Sequence, residues 1–111
     1  MMTIESLKDA GANVEEGLSR CLGKEDFYLK MVRMGLSSQN FGLLEESLKE
    51  KDYGRAFELC HSLKGVVGNL SLTPLYDLIC ALTEKLRSGG GEDCVEIFGR
   101  ITEMQKRYLS L

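Results

Sequence analysis

His61 is the only histidine in the chain, and it stands in a segment, Asp52 to Leu70, whose apolar residues recur at helical spacing. With His61 set at zero and about 100° allowed per residue, Ala56, Leu59, Leu63, Val66, Val67 and Leu70 fall within about 60° of the opposite side. Around the imidazole lie Lys64 at about −60°, Gly65 at about +40° and Gly68 at about −20°. The pattern predicts an exposed ring, beside one cation and two residues without side chains.

Those residue types suit phosphoryl transfer. An imidazole is largely uncharged near neutral pH, and a ring nitrogen can attack as a nucleophile. Transfer of a phosphoryl group then needs mainly positioning and charge stabilisation. Lys64, one turn on, is a flexible cation within reach of a phosphoryl oxygen. Each glycine inside a helix costs roughly 0.8–1 kcal/mol relative to alanine. Two of them beside one histidine imply that another molecule approaches the ring closely. Gly68→Gln is therefore expected to strengthen the helix while crowding the imidazole. A metal ion and an opposing carboxylate would have to come from a partner.

The elements that position His61 are helical throughout. Short helices are expected over about Ile4 to Ala10 and Val14 to Leu22, broken at Gly11, Asn13 and Gly23. A third runs from about Glu25 to Gly35, with Phe27, Met31 and Met34 spaced as one apolar face. Ser37-Ser38-Gln39-Asn40 makes a turn, and a fourth helix covers about Phe41 to Lys51 on Leu44 and Leu48. The His61 helix is the fifth. Thr73 as N-cap and Pro74 at the first position start the sixth, with Leu75, Leu78, Ile79, Leu82 and Leu86 on one face. Gly89-Gly90-Gly91 ends it, and the last helix presents Cys94, Ile97, Phe98, Ile101, Met104 and Tyr108. No alternating strand pattern competes. The expectation is all-α: one domain over residues 1–111, an antiparallel four-helix bundle with short additional N-terminal helices.

Composition limits what such a bundle can do. The 111 residues carry 14 basic and 17 acidic side chains, a net charge of −3, which gives no field for holding nucleic acid. No apolar run approaches the ~20 residues of a membrane helix, and MMTIESLKDAG does not read as a secretory signal. Cys21, Cys60, Cys80 and Cys94 are too dispersed for a zinc site and read as buried or half-buried thiols, which fits a reducing cytoplasm. One histidine, with no Ser/His/Asp set and no phosphate loop, leaves little for a self-contained enzyme.

His61-Ser62-Leu63-Lys64-Gly65, continued by Gly68-Asn69-Leu70, resembles the H-x-L-K-G-x-x-x-N-[LI]-G signature of histidine-containing phosphotransfer (HPt) domains. The stretch Gly11 to Arg20, with Tyr28-Leu29, resembles the lead-in of bacterial members, and Leu75-Tyr76 through Leu82 resembles the helix that follows. The resemblance implies a four-helix bundle whose exposed histidine takes a phosphoryl group from a receiver-domain aspartate, or from a kinase, and passes it to a response regulator. It implies that His61 is the phosphoacceptor, Lys64 the phosphate-side cation, and Gly65 and Gly68 the clearing beside the ring. It also implies a monomeric phosphocarrier with no cofactor of its own, the Mg²⁺ belonging to the receiver, and a hybrid histidine kinase as a further partner.

Two departures stand out. Ser71 occupies the usual glycine position and Val66-Val67 replace small residues, which predicts altered packing with the chemistry kept. Counting along the chain, Thr83, beside Glu84, takes the place of a glutamine or glutamate near the imidazole. Thr83 and Phe57, the latter at about −40° on the wheel, are the expected partner-docking positions. A helical adaptor docking a receiver through the same face without phosphorylation is the competing reading. A histidine-kinase dimerisation hairpin fits less well, because Ser62 follows the histidine where an acidic residue is usual.

Overall fold

A computed structural model describes all 111 residues. It holds seven α-helices and no strand: α1 Ile4–Asp9, α2 Val14–Arg20, α3 Glu25–Leu36, α4 Asn40–Lys49, α5 Tyr53–Asn69, α6 Thr73–Arg87 and α7 Asp93–Leu109. Asp52 caps α5 by accepting from the Arg55 N–H at 3.2 Å. Gly68 of α5 lies beside Tyr76 early in α6, and Phe57 lies beside Arg87 at its end, so the two helices run antiparallel. Lys85 meets Asp93 at 2.8 Å across the α6–α7 turn, where Gly89, Gly90 and Gly91 all adopt positive φ.

The remaining corner is shared by two helices. α4 runs against the N-terminal part of α5, with Asn40 donating to Ser62 at 3.4 Å. α3 covers the C-terminal end, where the Tyr28 hydroxyl donates to the Leu70 carbonyl at 2.7 Å. Gln105 of α7 closes the ring by donating to the Leu36 carbonyl at 2.8 Å. The antiparallel bundle with short N-terminal helices is thus the architecture, with its first corner broken over residues 37–39. No helix is long and apolar enough to cross a membrane.

α1 and α2 seal one end. The Asn13 N–H donates to the Ser71 carbonyl at 2.9 Å, and the Tyr108 hydroxyl donates to the Ala10 carbonyl at 3.0 Å. Gly17 lies directly under the Tyr28 ring, so close that a Cβ there would overlap it.

Three expectations need correction. In α3 the buried residues are Tyr28, Val32 and Leu36, so the Phe27/Met31/Met34 stripe faces outward. In α5 the buried face is Ala56, Cys60, Leu63 and Val67, a rotation of about 45° toward Cys60 from the face expected. Val66 is consequently 38% exposed and Leu59 half-buried. The cause is α6, which packs Thr83 over Cys60 and draws that flank inside. Thr73, third, is the first helical residue of α6 and not its cap; Leu72 is the N-cap, with no side-chain cap bond.

Burial of these polar tips makes stability pH-dependent on the alkaline side. Burial pushes the Tyr28 hydroxyl and the Cys60 thiol each up to about 12, and raises Tyr108 and Cys94 as well. A group whose pKa is raised on folding stabilises the fold fully below its unfolded pKa and loses that contribution as pH climbs to the folded value. Urea midpoints should therefore hold up to about pH 8 and fall progressively between about pH 9 and 12. A midpoint unchanged across that window would show that these groups are not desolvated as described.

Candidate functional site

His61 sits at the midpoint of α5, exposed, and no ion pair involves it or Lys64. Lys64 is half-buried, three residues and about 4.5 Å further along the helix axis. It lines a polar groove of about 510 Å³ between α2 and the α5–α6 turn, with Gly65, Gly68, Arg20, Tyr76 and Asp77. His61 lies outside that groove, so the site is an open helix face and not a cleft. No three His, Cys, Asp or Glu side chains converge as a metal ligand set.

The two glycines have different roles. A Cβ on Gly65 would meet nothing within 4 Å, so nothing inside the chain requires glycine there. A Cβ on Gly68 would lie 3.0 and 3.2 Å from ring carbons of Tyr76. Gly68 is therefore a helix-packing glycine as well as a neighbour of the imidazole, and the helix propensity that Gly68→Gln gains is offset by the few tenths of an ångström that the half-buried Tyr76 ring must give. Gly65→Gln should raise the melting temperature, because glycine is the poorer helix former by nearly 1 kcal/mol; Gly68→Gln should raise it less, because the Tyr76 ring must give way by a few tenths of an ångström. Thermal unfolding of the two variants separates these outcomes. Equal shifts of the same sign would remove the distinction.

Thr83 is fully buried, which corrects its assignment to docking. Its hydroxyl donates to the Ile79 carbonyl at 2.7 Å, and its side chain lies against the Cys60 thiol. Counting residues along antiparallel helices fixes the level of a side chain but not its direction. Thr83 belongs to the inner face of α6 with Leu75, Ile79, Leu82 and Leu86. Phe57 is half-buried, with the Arg87 guanidinium 5.3 Å from its ring centroid. That cation is also held by Glu84 at 3.3 Å, so Phe57 is packed into the α5–α6 seam.

Ser71 explains how the motif tolerates the loss of its glycine. α5 ends with the Ser71 N–H donating to Gly68 O (3.1 Å) and the Leu72 N–H to Val67 O (3.4 Å), a Schellman pattern. Ser71 has φ +58°, in the left-handed region that favours glycine. Its hydroxyl accepts from Arg20 at 2.9 Å and donates to Glu16 at 2.7 Å. Arg20 also donates to the Gly68 and Asn69 carbonyls at 2.9 and 3.2 Å, placing a cation where the helix dipole favours one. Glu16, Arg20 and Tyr76 were given no role by sequence reasoning. Arg20 and Ser71 are 51 positions apart, and no local spacing links them.

A family model of the Hpt domain matches residues 36–110, which contain α4 to α7 entire. The chain belongs to the Hpt domain family. Membership implies a part in phosphorelay signalling, where Hpt domains work with receiver domains and kinases as phosphocarriers and not as catalysts. No curated protein and no solved structure matches the chain.

Proposed function

We propose that His61 is the phosphoacceptor of a phosphorelay, taking the group from a receiver-domain aspartate or a kinase and handing it to a response regulator. The observation that carries this reading is the exposed imidazole of α5, flanked by the open position Gly65 and the unpaired cation Lys64. The unprotonated ring nitrogen attacks phosphorus, the N–P bond forms, and the P–O bond to the aspartate breaks. The electron pair of that bond leaves on the carboxylate, and the other ring nitrogen keeps its proton. Onward transfer reverses the roles.

Lys64 meets the negative charge of the transferring oxygens, and Gly65 admits the partner's backbone. Mg²⁺ enters with the receiver, and residues 1–111 act as one unit around the shared core of 24 buried apolar side chains. The test is incubation of the chain with purified receiver domains of its source organism, each loaded with acetyl phosphate. Phosphoryl label that moves to the chain in an acid-labile, base-stable form supports the reading. Receivers that bind but never transfer would replace it with the adaptor.

A further inference from the structure

The polar groove that Lys64 lines holds four charged side chains: Glu16 and Arg20 from α2, Lys64 from α5 and Asp77 from α6. Two of them neutralise each other. Arg20 Nη1 lies 3.3 Å from Glu16 Oε1, and the buried Ser71 hydroxyl donates to the same oxygen at 2.7 Å. Half-buried Lys64 and exposed Asp77 take part in no ion pair. The cation one turn from His61 thus shares its groove with a carboxylate, Glu16, that is already taken.

We infer that Arg20 is a positioning residue for phosphoryl transfer: by holding Glu16 at Ser71 it keeps the Lys64 ammonium free for the phosphoryl oxygens at His61. The inference rests on the relay reading above. A helix side chain leans toward the N-terminus of its own helix, so Lys64 leans toward the imidazole three residues before it. Glu16 is bonded at Ser71, beyond the other end of α5. An ion pair between Lys64 and Glu16 would draw the ammonium down the groove, away from the reacting ring. Arg20 removes that competitor.

Capping of α5 does not account for the whole group. Arg20 alone serves the Gly68 and Asn69 carbonyls, at 2.9 and 3.2 Å. A carboxylate at that end of a helix is opposed by the helix dipole, so Glu16 adds nothing to the cap except through the charge of Arg20. Asp77 has the same freedom with or without Arg20, and it does not alter the comparison. The size of the effect follows from the pair that Arg20 prevents. An exposed ion pair shifts a population by at most about fivefold, and a rate that needs Lys64 free falls with the fraction withheld.

The experiment compares wild type with Arg20→Gln, Arg20→Lys, Glu16→Gln, Glu16→Gln/Arg20→Gln, Lys64→Ala and Arg20→Gln/Lys64→Ala. Transfer from receivers loaded with acetyl phosphate is timed at saturation, with KM, calorimetric Kd for the unloaded receiver and a thermal melt alongside. Arg20→Gln should slow transfer about two- to fivefold, with KM and Kd unchanged. Arg20→Lys should keep most of the rate, because its charge still pairs with Glu16. Glu16→Gln/Arg20→Gln should regain the rate while its Tm stays below wild type, because the last carbonyls of α5 still lack the guanidinium. Arg20→Gln/Lys64→Ala should be no slower than Lys64→Ala. A wild-type rate in Arg20→Gln overturns the inference and leaves the relay reading standing. Equal slowing in Arg20→Gln and Glu16→Gln/Arg20→Gln shows that Arg20 only secures the end of α5, and overturns it too. So does slowing that multiplies with Lys64→Ala, or a gain from Glu16→Gln that is the same with and without Arg20. If no receiver loads wild type, the inference falls together with the relay reading.

Discussion

His61→Gln takes up no phosphoryl group from any loaded receiver or kinase. The chain has no second imidazole, and an amide nitrogen, its lone pair delocalised into the carbonyl, is not a nucleophile at neutral pH. The loss should be complete and not partial, because no neighbouring residue can replace the ring. The fold should be untouched. His61 is exposed and outside every ion pair, so the change resembles an ordinary surface substitution worth no more than about 0.5 kcal/mol. That corresponds to a shift of about 2 °C in Tm for a domain of this size. The checks are label incorporation and a thermal melt on the same preparation. Acid-labile label that survives the substitution would overturn the assignment of His61; a large drop in Tm would show that the ring supports the fold.

The bundle was legible because its late helices announce themselves. Pro74 and the three glycines after Ser88 bracket α6, and the single Asp52-to-Leu70 run could only be one long helix. Helix rotation was less legible. Phe27, Met31 and Met34 form a better apolar stripe by composition than Tyr28, Val32 and Leu36, yet the second set is inside. Tyr28 is drawn in because its hydroxyl finds the Leu70 carbonyl and its ring finds the bare backbone at Gly17. Both partners are remote in sequence or silent in hydropathy. Thr83 failed for the same reason: a threonine can join a core once its hydroxyl bonds back to the preceding turn. Of the site, His61, Lys64 and Gly65 follow from one helix alone and were readable on a wheel. The Arg20–Ser71–Glu16 group depends on two helices meeting, and no periodicity encodes it.

Lys64→Ala should slow phosphoryl transfer about tenfold while leaving receiver docking nearly intact. Lys64 lies one turn from His61 and has no carboxylate of its own, so removing it breaks no ion pair inside the chain. What is lost is the ammonium that meets the phosphoryl oxygens as the N–P bond forms. A well-made charge-assisted contact contributes about 1.5–3 kcal/mol, and water at an open helix face reduces it. A screened value of about 1.4 kcal/mol gives the tenfold effect. Docking changes little, because a single rim charge adds little affinity. Lys64→Arg should restore part of the rate, since the charge remains but its shape and reach differ. The effect of Lys64→Ala should also shrink as salt rises, because the wild-type rate falls toward that of the variant. The measurement is timed transfer from a loaded receiver to wild type and both variants at low and high salt, with binding of the unloaded receiver in parallel. Transfer by Lys64→Ala at the wild-type rate would make Lys64 an ordinary solvated lysine and leave the transferring oxygens to be stabilised entirely by the partner.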